Sequence, residues 1–225
     1  MTKPWYVKHP EMYAEVRVQV EDKYPELHLA IRSQGLYVCG YYPLYENGDV
    51  LDRYLVELKL PLDSPRGLPE LYEVGGRIPS KPDRHMEGDR RACVVLPDAF
   101  WYAHPEGMTA LEFLDGPVRS YLASQSLIER EQPGVWLDGE WGHGAEGVVE
   151  FYGPLLGTDD PDVILGFLRL LQGEAVKGHW RCPCGSGKRI RDCHFSLLVE
   201  LRARIPRAVA ANSVAALGDH QWRRT

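Results

Sequence analysis

The chain has 225 residues, of which 44% are hydrophobic and 26% are charged, a composition that excludes a largely disordered protein. No apolar run approaches the ~18 residues of a membrane span, and residues 1–5 lack the apolar stretch of a signal peptide, so we expect a cytoplasmic protein. The net charge is −6, and it is unevenly distributed along the chain. Residues 178–225 carry 9 basic and 3 acidic side chains, whereas residues 1–177 carry 17 basic and 29 acidic ones. This split predicts two modules with different surfaces. The basic end suits an acidic protein or nucleic acid, or is a solvated helix face.

The first part of the chain reads as one helix followed by strands. Apolar residues at helical spacing predict a helix over 10–23. Alternating apolar residues predict strands near 27–31 and 54–60, and residues 36–45 are rich in strand-forming side chains. Asn47-Gly48 is a hairpin-turn signal. One more short strand is expected within 71–78.

The second part of the chain predicts helices. Residues 79–116 are expected to be irregular, apart from the apolar run 92–96. A helix is predicted from Pro117, in its first turn, to about Glu131, and a Gly/Trp-rich stretch follows. A further helix is predicted after Pro161, then a linker over 172–180, and a last helix that carries Leu198, Leu201 and Ile205. Strands followed by helices predict the α+β class.

The strongest chemical signal is a cluster of cysteines near the C-terminus. Five cysteines in a cytoplasmic chain argue against a disulfide framework. Three of them, Cys182, Cys184 and Cys193, lie close together, and His194 directly follows Cys193. This Cys₃His set suits tetrahedral Zn²⁺. The intervening Gly-Ser-Gly turn lets the two arms converge. Four protein ligands leave no open position, so the predicted zinc is structural. The segment is not a phosphate-binding loop, since it lacks the required glycine spacing.

This cluster, Cys-Pro-Cys-Gly-Ser-Gly-Lys followed by Cys-His, closely resembles the SEC-C motif, a small zinc module at the ends of bacterial proteins. The resemblance covers about fourteen residues. It implies zinc bound through Cys182, Cys184, Cys193 and His194, and docking to protein or ribosomal partners.

Cys93 is a second candidate for chemistry. Arg84, Arg90 and Arg91 precede it, and these cations would favour its thiolate if their side chains lie near. The alternative is a small buried hydrophobic residue in a strand over 92–96. Cys39, within a predicted strand, is assigned to the core.

The order of a helix, a strand meander, a long Pro-rich loop with a cysteine and then helices resembles the ubiquitin-conjugating enzyme fold over roughly residues 10–160. In that family a His-Pro-Asn tripeptide precedes the nucleophilic cysteine, whereas Asp83-Arg84-His85 stands here and the asparagine is absent. The resemblance implies that His85 takes part of the asparagine's role. The Trp141-Gly-His143-Gly stretch resembles a segment of the bacterial members, and it makes His143 a second candidate, as base or hydrogen-bond donor.

The resemblance is greatest to divergent bacterial members, including those of CBASS anti-phage systems, where such enzymes are linked to a cGAS-like nucleotidyltransferase. It implies a ubiquitin-like protein or nucleotidyltransferase C-terminus as cargo, carried as a thioester on Cys93 and transferred to an amine. No ATP-binding loop is evident in the sequence, so activation would need a separate protein. No membrane partner is expected.

We therefore divide the chain into a conjugating-enzyme-like domain over 1–160, a helix and linker over 161–177, and a zinc module over 178–225. Two alternatives stay open. One is a catalytically inactive binding domain of the same fold that docks through its zinc tail. The other is a cysteine hydrolase that uses Cys93 and His143, although no protease signature supports it.

Overall fold

The structure is a computed structural model that describes residues 3–62, 66–130, 136–137 and 141–222. It is a mixed α/β architecture with a five-stranded antiparallel sheet and helices. The chain forms two compact units, one of Met1–Val94 and Glu106–Glu140, the other of Val95–Pro105 and Trp141–Thr225. The domain boundary predicted at residue 160 falls inside the second unit.

The first unit begins with two helices and a strand meander. Helices α1 and α2 span Trp5–Lys8 and Pro10–Lys23. The sheet order follows the chain, with every neighbouring pair antiparallel. Its strands are β1 (Leu27–Arg32), β2 (Gly35–Glu46), β3 (Asp49–Leu60), β4 (Glu70–Glu73) and β5 (Arg91–Ala92). The predicted helix over 10–23 and the first three predicted strands are confirmed. The predicted hairpin turn is also confirmed, since Asn47 and Gly48 both have positive φ, at 53° and 92°.

One face of the sheet forms the core of this unit. Leu36 and Val38 of β2 and Leu58 of β3 are fully buried, as the two-residue period of a strand requires. Tyr42, on the same face of β2, donates a hydrogen bond from its hydroxyl to the backbone oxygen of Leu114 at 2.8 Å. This contact anchors the helical segment 110–129 to the sheet.

The helical segment 110–129 differs from the prediction. It consists of α4 (Ala110–Phe113), a π-helical turn over Leu114–Val118, and α5 (Arg119–Glu129). Thr109 and Glu112 form a reciprocal capping box, which starts the helix earlier than predicted. Pro117 therefore lies inside the helix, and the wider π turn accommodates its missing N–H. The predicted end at Glu131 lies outside the described residues.

The second unit is helical. Its helices are α3 (Pro97–Ala103), α6 (Ala145–Leu156), α7 (Pro161–Gln172), α8 (Phe195–Arg204) and α9 (Arg207–Trp222). The helix predicted after Pro161 is confirmed. The prediction of a single helix at the end of the chain is wrong. Helix α8 ends at Arg204, and Pro206 prevents it from continuing into α9. The prediction that residues 79–116 are irregular is wrong over Pro97–Ala103, which form helix α3.

A buried carboxylate joins three helices of this unit. Asp98 of α3 is 2% exposed and accepts hydrogen bonds from Tyr152 of α6 and Ser213 of α9, each at 2.7 Å. Burial raises the pKa of Asp98, and the two hydrogen bonds oppose that rise without cancelling it. The triad fixes the packing of α3, α6 and α9 around one polar point.

In the part of the chain that the structure describes, no helix combines the length and the apolar character needed to cross a bilayer.

Candidate functional site

The cysteine cluster is built on a short backbone hairpin in the second unit. Arg181 and Arg189 pair across it, and the backbone N–H of Cys182 donates to the oxygen of Lys188 at 2.9 Å. The turn at its tip contains Gly185 and Gly187, both in the left-handed region with φ of 76° and 73°. Glycine adopts this conformation without a Cβ clash, so the chain can reverse within a few residues. The Gly-Ser-Gly turn predicted from the sequence is confirmed.

The second arm of the cluster leads directly into a helix. A 3₁₀ turn over Ile190–Asp192 ends at Cys193, and His194 stands at the N-cap of α8. The His194 ring packs edge-on against Phe167, with their centroids 5.1 Å apart. Ile190 is completely buried in the core of the unit.

The hairpin also packs closely on helix α7. A Cβ added at Gly166 of α7 would lie 2.9 Å from the Cβ of Pro183, a separation at which one of the two must move. Glycine at 166 thus lets the Cys182-Pro183-Cys184 segment lie directly on the helix. The cluster therefore has a fixed support on one side.

The four ligand atoms converge on one point. All lie within 4.8 Å of one another. Sγ of Cys182 is 3.3 Å from Nδ1 of His194, Sγ of Cys193 is 3.2 Å from the same nitrogen, and Sγ of Cys184 is 3.5 Å from Sγ of Cys193. Tetrahedral ligands with metal bonds of about 2.0–2.3 Å are roughly 3.4–3.8 Å apart, so small adjustments would seat a metal ion. The cluster can hold a metal, as predicted from the spacing of its residues.

One thiol of the cluster is already acidic. Partial burial raises the pKa of Cys184, but hydrogen bonds with the Ser186 side chain and backbone outweigh it and lower the pKa to about 6. A thiolate is the form that ligates metals. With three thiols and one imidazole, the donor set is complete at four.

Cys93 lies in the first unit, on a hairpin loop that follows β4. The backbone N–H of Cys93 donates to the oxygen of His85 at 2.8 Å, and that of Glu87 donates to the oxygen of Arg91 at 2.8 Å. These bonds pair the segments on either side of the turn, where Arg90 has a φ of 73°. Cys93 itself follows β5 and is half-buried, so the alternative of a small hydrophobic residue in a buried strand over 92–96 does not hold.

The charges around Cys93 oppose ionisation. Its Sγ is 3.6 Å from a carboxylate oxygen of Glu87. Burial first, and then the Glu87 charge, raise the pKa of Cys93 to about 11, while Arg91 lowers it only in part. Arg91 itself pairs with Glu87 at 3.2 Å. Arg91 thus favours the thiolate as expected, but burial and Glu87 outweigh it, and the net effect is a raised pKa.

The other two arginines bind elsewhere. Arg84 donates to the side-chain oxygen of Gln125 at 2.6 Å, and Arg90 donates to the backbone oxygens of Glu73 at 2.8 Å and Ile78 at 2.7 Å. Arg90 also forms an ion pair with the Glu73 carboxylate, which is completely buried. Both guanidiniums hold the loop against the sheet and helix α5.

His85 is part of the same loop. Its side chain is 7% exposed, its φ is 47°, and its ring packs edge-on against Trp136 with centroids 4.5 Å apart. The Tyr121 hydroxyl donates to the backbone oxygen of Arg84 at 3.0 Å. The structure thus places His85 and Cys93 on paired segments, joined by their backbones.

His143 belongs to the second unit, whereas Cys93 belongs to the first. It is exposed and precedes α6, and its backbone oxygen accepts a hydrogen bond from Glu146 at 3.2 Å. Glu87 is a residue that the sequence analysis missed. It lies six residues before Cys93, and only the pairing of the two hairpin segments shows that its carboxylate reaches the sulfur.

In comparisons with known proteins, no family model matches the chain, and neither a curated protein nor a solved structure does.

Proposed function

We propose that the C-terminal cluster binds one Zn²⁺ as a structural ion. Three thiols and one imidazole form a donor set that zinc prefers, and four protein ligands leave no position for substrate. Metal binding would draw the hairpin and the start of α8 together, so part of its binding energy stabilises the second unit. A basic zinc module of this kind serves to dock the protein to a partner.

We propose further that the first unit is a ubiquitin-conjugating-enzyme-like acyl carrier in the cytoplasm. The observation that carries this proposal is the Cys93 loop, which follows an antiparallel meander and is held by a backbone bond to His85. Further support comes from the order of α2, the sheet, the cysteine loop and α5, which is the order on which the resemblance in the sequence is based. A cargo with an activated C-terminal carboxyl, such as a ubiquitin-like protein or a nucleotidyltransferase in anti-phage defence, suits this carrier.

The chemistry requires the sulfur of Cys93 to attack the activated acyl carbon. The C–S bond forms, the activating group leaves, and the thiol proton passes to a nearby base, for which the Glu87 carboxylate is placed at 3.6 Å. An amine then attacks the thioester and releases the thiol. His85 is our candidate for assisting these steps, as a donor to the oxyanion or as a base.

A raised pKa is compatible with a carrier. A thiol of high pKa is a poor leaving group, so its thioester loses the acyl group slowly, and the ion, once formed, is a strong nucleophile. The resting protein would keep Cys93 neutral and protect it from oxidation.

The second candidate function is a catalytically inactive binding domain of the same fold, docked through the zinc tail. Its support is the pKa of Cys93, about 11, together with the absent asparagine. The hydrolase that uses Cys93 and His143 has weaker support, since no protease signature in the sequence favours it.

The carrier is tested by intact mass measurement of the protein purified from its natural host without thiols. We expect a protein-sized adduct that hydroxylamine or dithiothreitol removes, and that Cys93→Ala lacks. A Cys39→Ala variant is the matched control and should keep the adduct. Absence of any adduct under conditions in which cargo and activating protein are present would support the binding domain instead.

A further inference from the structure

The hairpin that carries two of the metal ligands also presents a concentrated positive charge. Residues 177–191 contain five basic side chains and no acidic one. All five are exposed, so none serves the core. We call them the knuckle cations, and they are Lys177, Arg181, Lys188, Arg189 and Arg191.

Their placement is unfavourable in the free protein. Arg181 and Arg189 are directly paired across the hairpin, where like charges repel. Arg191 lies 3.5 Å from Asp192, but among the described residues no carboxylate is within ion-pair distance of the other four. A Cys₃His zinc centre would add a charge of about −1, too little to neutralise five cations. The cluster is therefore complementary to a polyanion.

An aromatic side chain stands among these cations. The Trp180 side chain is 37% exposed, and Nζ of Lys177 lies 5.8 Å from its ring centroid. The His179 ring is edge-on to Trp180 at 6.4 Å. The Trp180 backbone is fixed, because its oxygen accepts from the N–H of Ile190 at 2.9 Å. The indole is thus a positioned ring beside exposed positive charges.

We propose that this surface binds single-stranded nucleic acid, with the knuckle cations on the phosphates and one base stacked on Trp180. Cations interleaved with an exposed aromatic ring are typical of single-strand binding, since every base offers a face for stacking. A duplex keeps its bases stacked and cannot use the indole. An acidic protein would use the charges but gain little from Trp180. The proposal does not depend on the acyl-carrier function.

The test is fluorescence anisotropy with the full-length, zinc-loaded protein and labelled 12-nucleotide oligo(U) and oligo(dT). Tighter binding of oligo(U) would identify RNA as the ligand. Equal binding of the two would show that the surface does not distinguish RNA from single-stranded DNA. We expect the affinity to fall with salt, with a log–log slope of about −0.7 for each phosphate contacted. Arg189→Gln should reduce that slope by about 0.7. Trp180→Ala should weaken binding by roughly 5- to 150-fold, and Trp180→Phe by less.

The matched control is Arg17→Gln, which removes the same charge from an exposed position on α2 in the first unit. It should leave affinity and slope unchanged. Zinc content and circular dichroism establish that each variant is folded. The proposal is overturned if oligonucleotides do not bind, if Trp180→Ala binds them like wild type, or if poly-glutamate or a DNA duplex binds as tightly as the single strand.

Discussion

The ionisation of Cys93 offers a sharp quantitative test of the structure. With a pKa of about 11, its thiolate fraction at pH 8 is about 0.001, against roughly 0.2 for an ordinary cysteine thiol. A thiolate of higher pKa is more nucleophilic, and over this interval the gain is about tenfold. Alkylation of Cys93 at pH 8 should therefore be roughly 20-fold slower than that of an exposed ordinary cysteine.

Replacing Glu87 by Gln should accelerate that alkylation. A carboxylate 3.6 Å from Sγ disfavours the thiolate by about 1 kcal/mol even at the dielectric constant of water. Its removal should lower the pKa of Cys93 and raise the rate at pH 8 about threefold or more. Glu46→Gln, at an exposed position near the end of β2, is the matched control.

The assay is iodoacetamide labelling from pH 7 to 11, read by mass spectrometry on the tryptic peptide 92–119, which contains Cys93 alone among the cysteines. The wild-type rate should rise about tenfold for each pH unit up to pH 10. A rate that levels off near pH 8.5 would refute the raised pKa. A Glu87→Gln profile identical to wild type would refute the assigned cause.

Three further predictions concern the second unit. The Cys193→Ser variant should lose bound metal and have a lower Tm than wild type, with less than one zinc per chain by plasma mass spectrometry. The Cys39→Ser variant should retain the metal. Equal zinc content in the two variants would contradict the proposed ligands. Gly166→Ala should destabilise the unit by about 1–3 kcal/mol in urea unfolding, because the new Cβ meets Pro183 at 2.9 Å, while Gly218→Ala on α9, with open space around it, should be neutral or stabilising; the reverse order would contradict the close packing. In the unfolded chain the Asp98 carboxyl has a pKa of about 4, whereas in the native state it keeps its proton to higher pH. The stability that this proton contributes is therefore lost as pH rises through the raised native pKa. The difference in unfolding free energy between wild type and Asp98→Asn should therefore shift against wild type as pH rises from 4, and a difference independent of pH would contradict the raised pKa.

Local patterns in the sequence predicted several elements and the metal cluster. Helix α2, strands β1 to β3 and helix α7 have regular apolar periods, which depend only on neighbouring residues. The four metal ligands lie within thirteen residues, so their convergence follows from one turn.

Elements that depend on tertiary packing were not predicted. Helix α6 contains Gly147, Gly153 and Pro154, which have low helix propensity, yet Val148 and Tyr152 are buried in the core and stabilise it. The apolar residues Val148, Phe151, Tyr152, Leu155 and Leu156 do have helical spacing, but the glycines and the proline among them hid that pattern.

The environment of Cys93 could not be predicted for a related reason. Arg84 and Arg90 are close to it in sequence, but their hydrogen bonds go to Gln125 and Glu73, which are distant along the chain. Glu87 is brought to the sulfur by the hairpin register. The direction of the pKa shift of Cys93 was thus set by its burial and by the hairpin register, neither of which the local sequence pattern shows.

The central claim, that Cys93 carries an acyl group, is tested most directly by Cys93→Lys expressed in the natural host. A lysine at this position would retain a transferred acyl group as an amide that hydroxylamine and thiols do not cleave. The account predicts a stable, protein-sized mass increase on Lys at position 93 and none on Cys93→Ala, with the cargo identified by tandem mass spectrometry. If Cys93→Lys carries no adduct while wild type is equally free of one, the carrier function is contradicted.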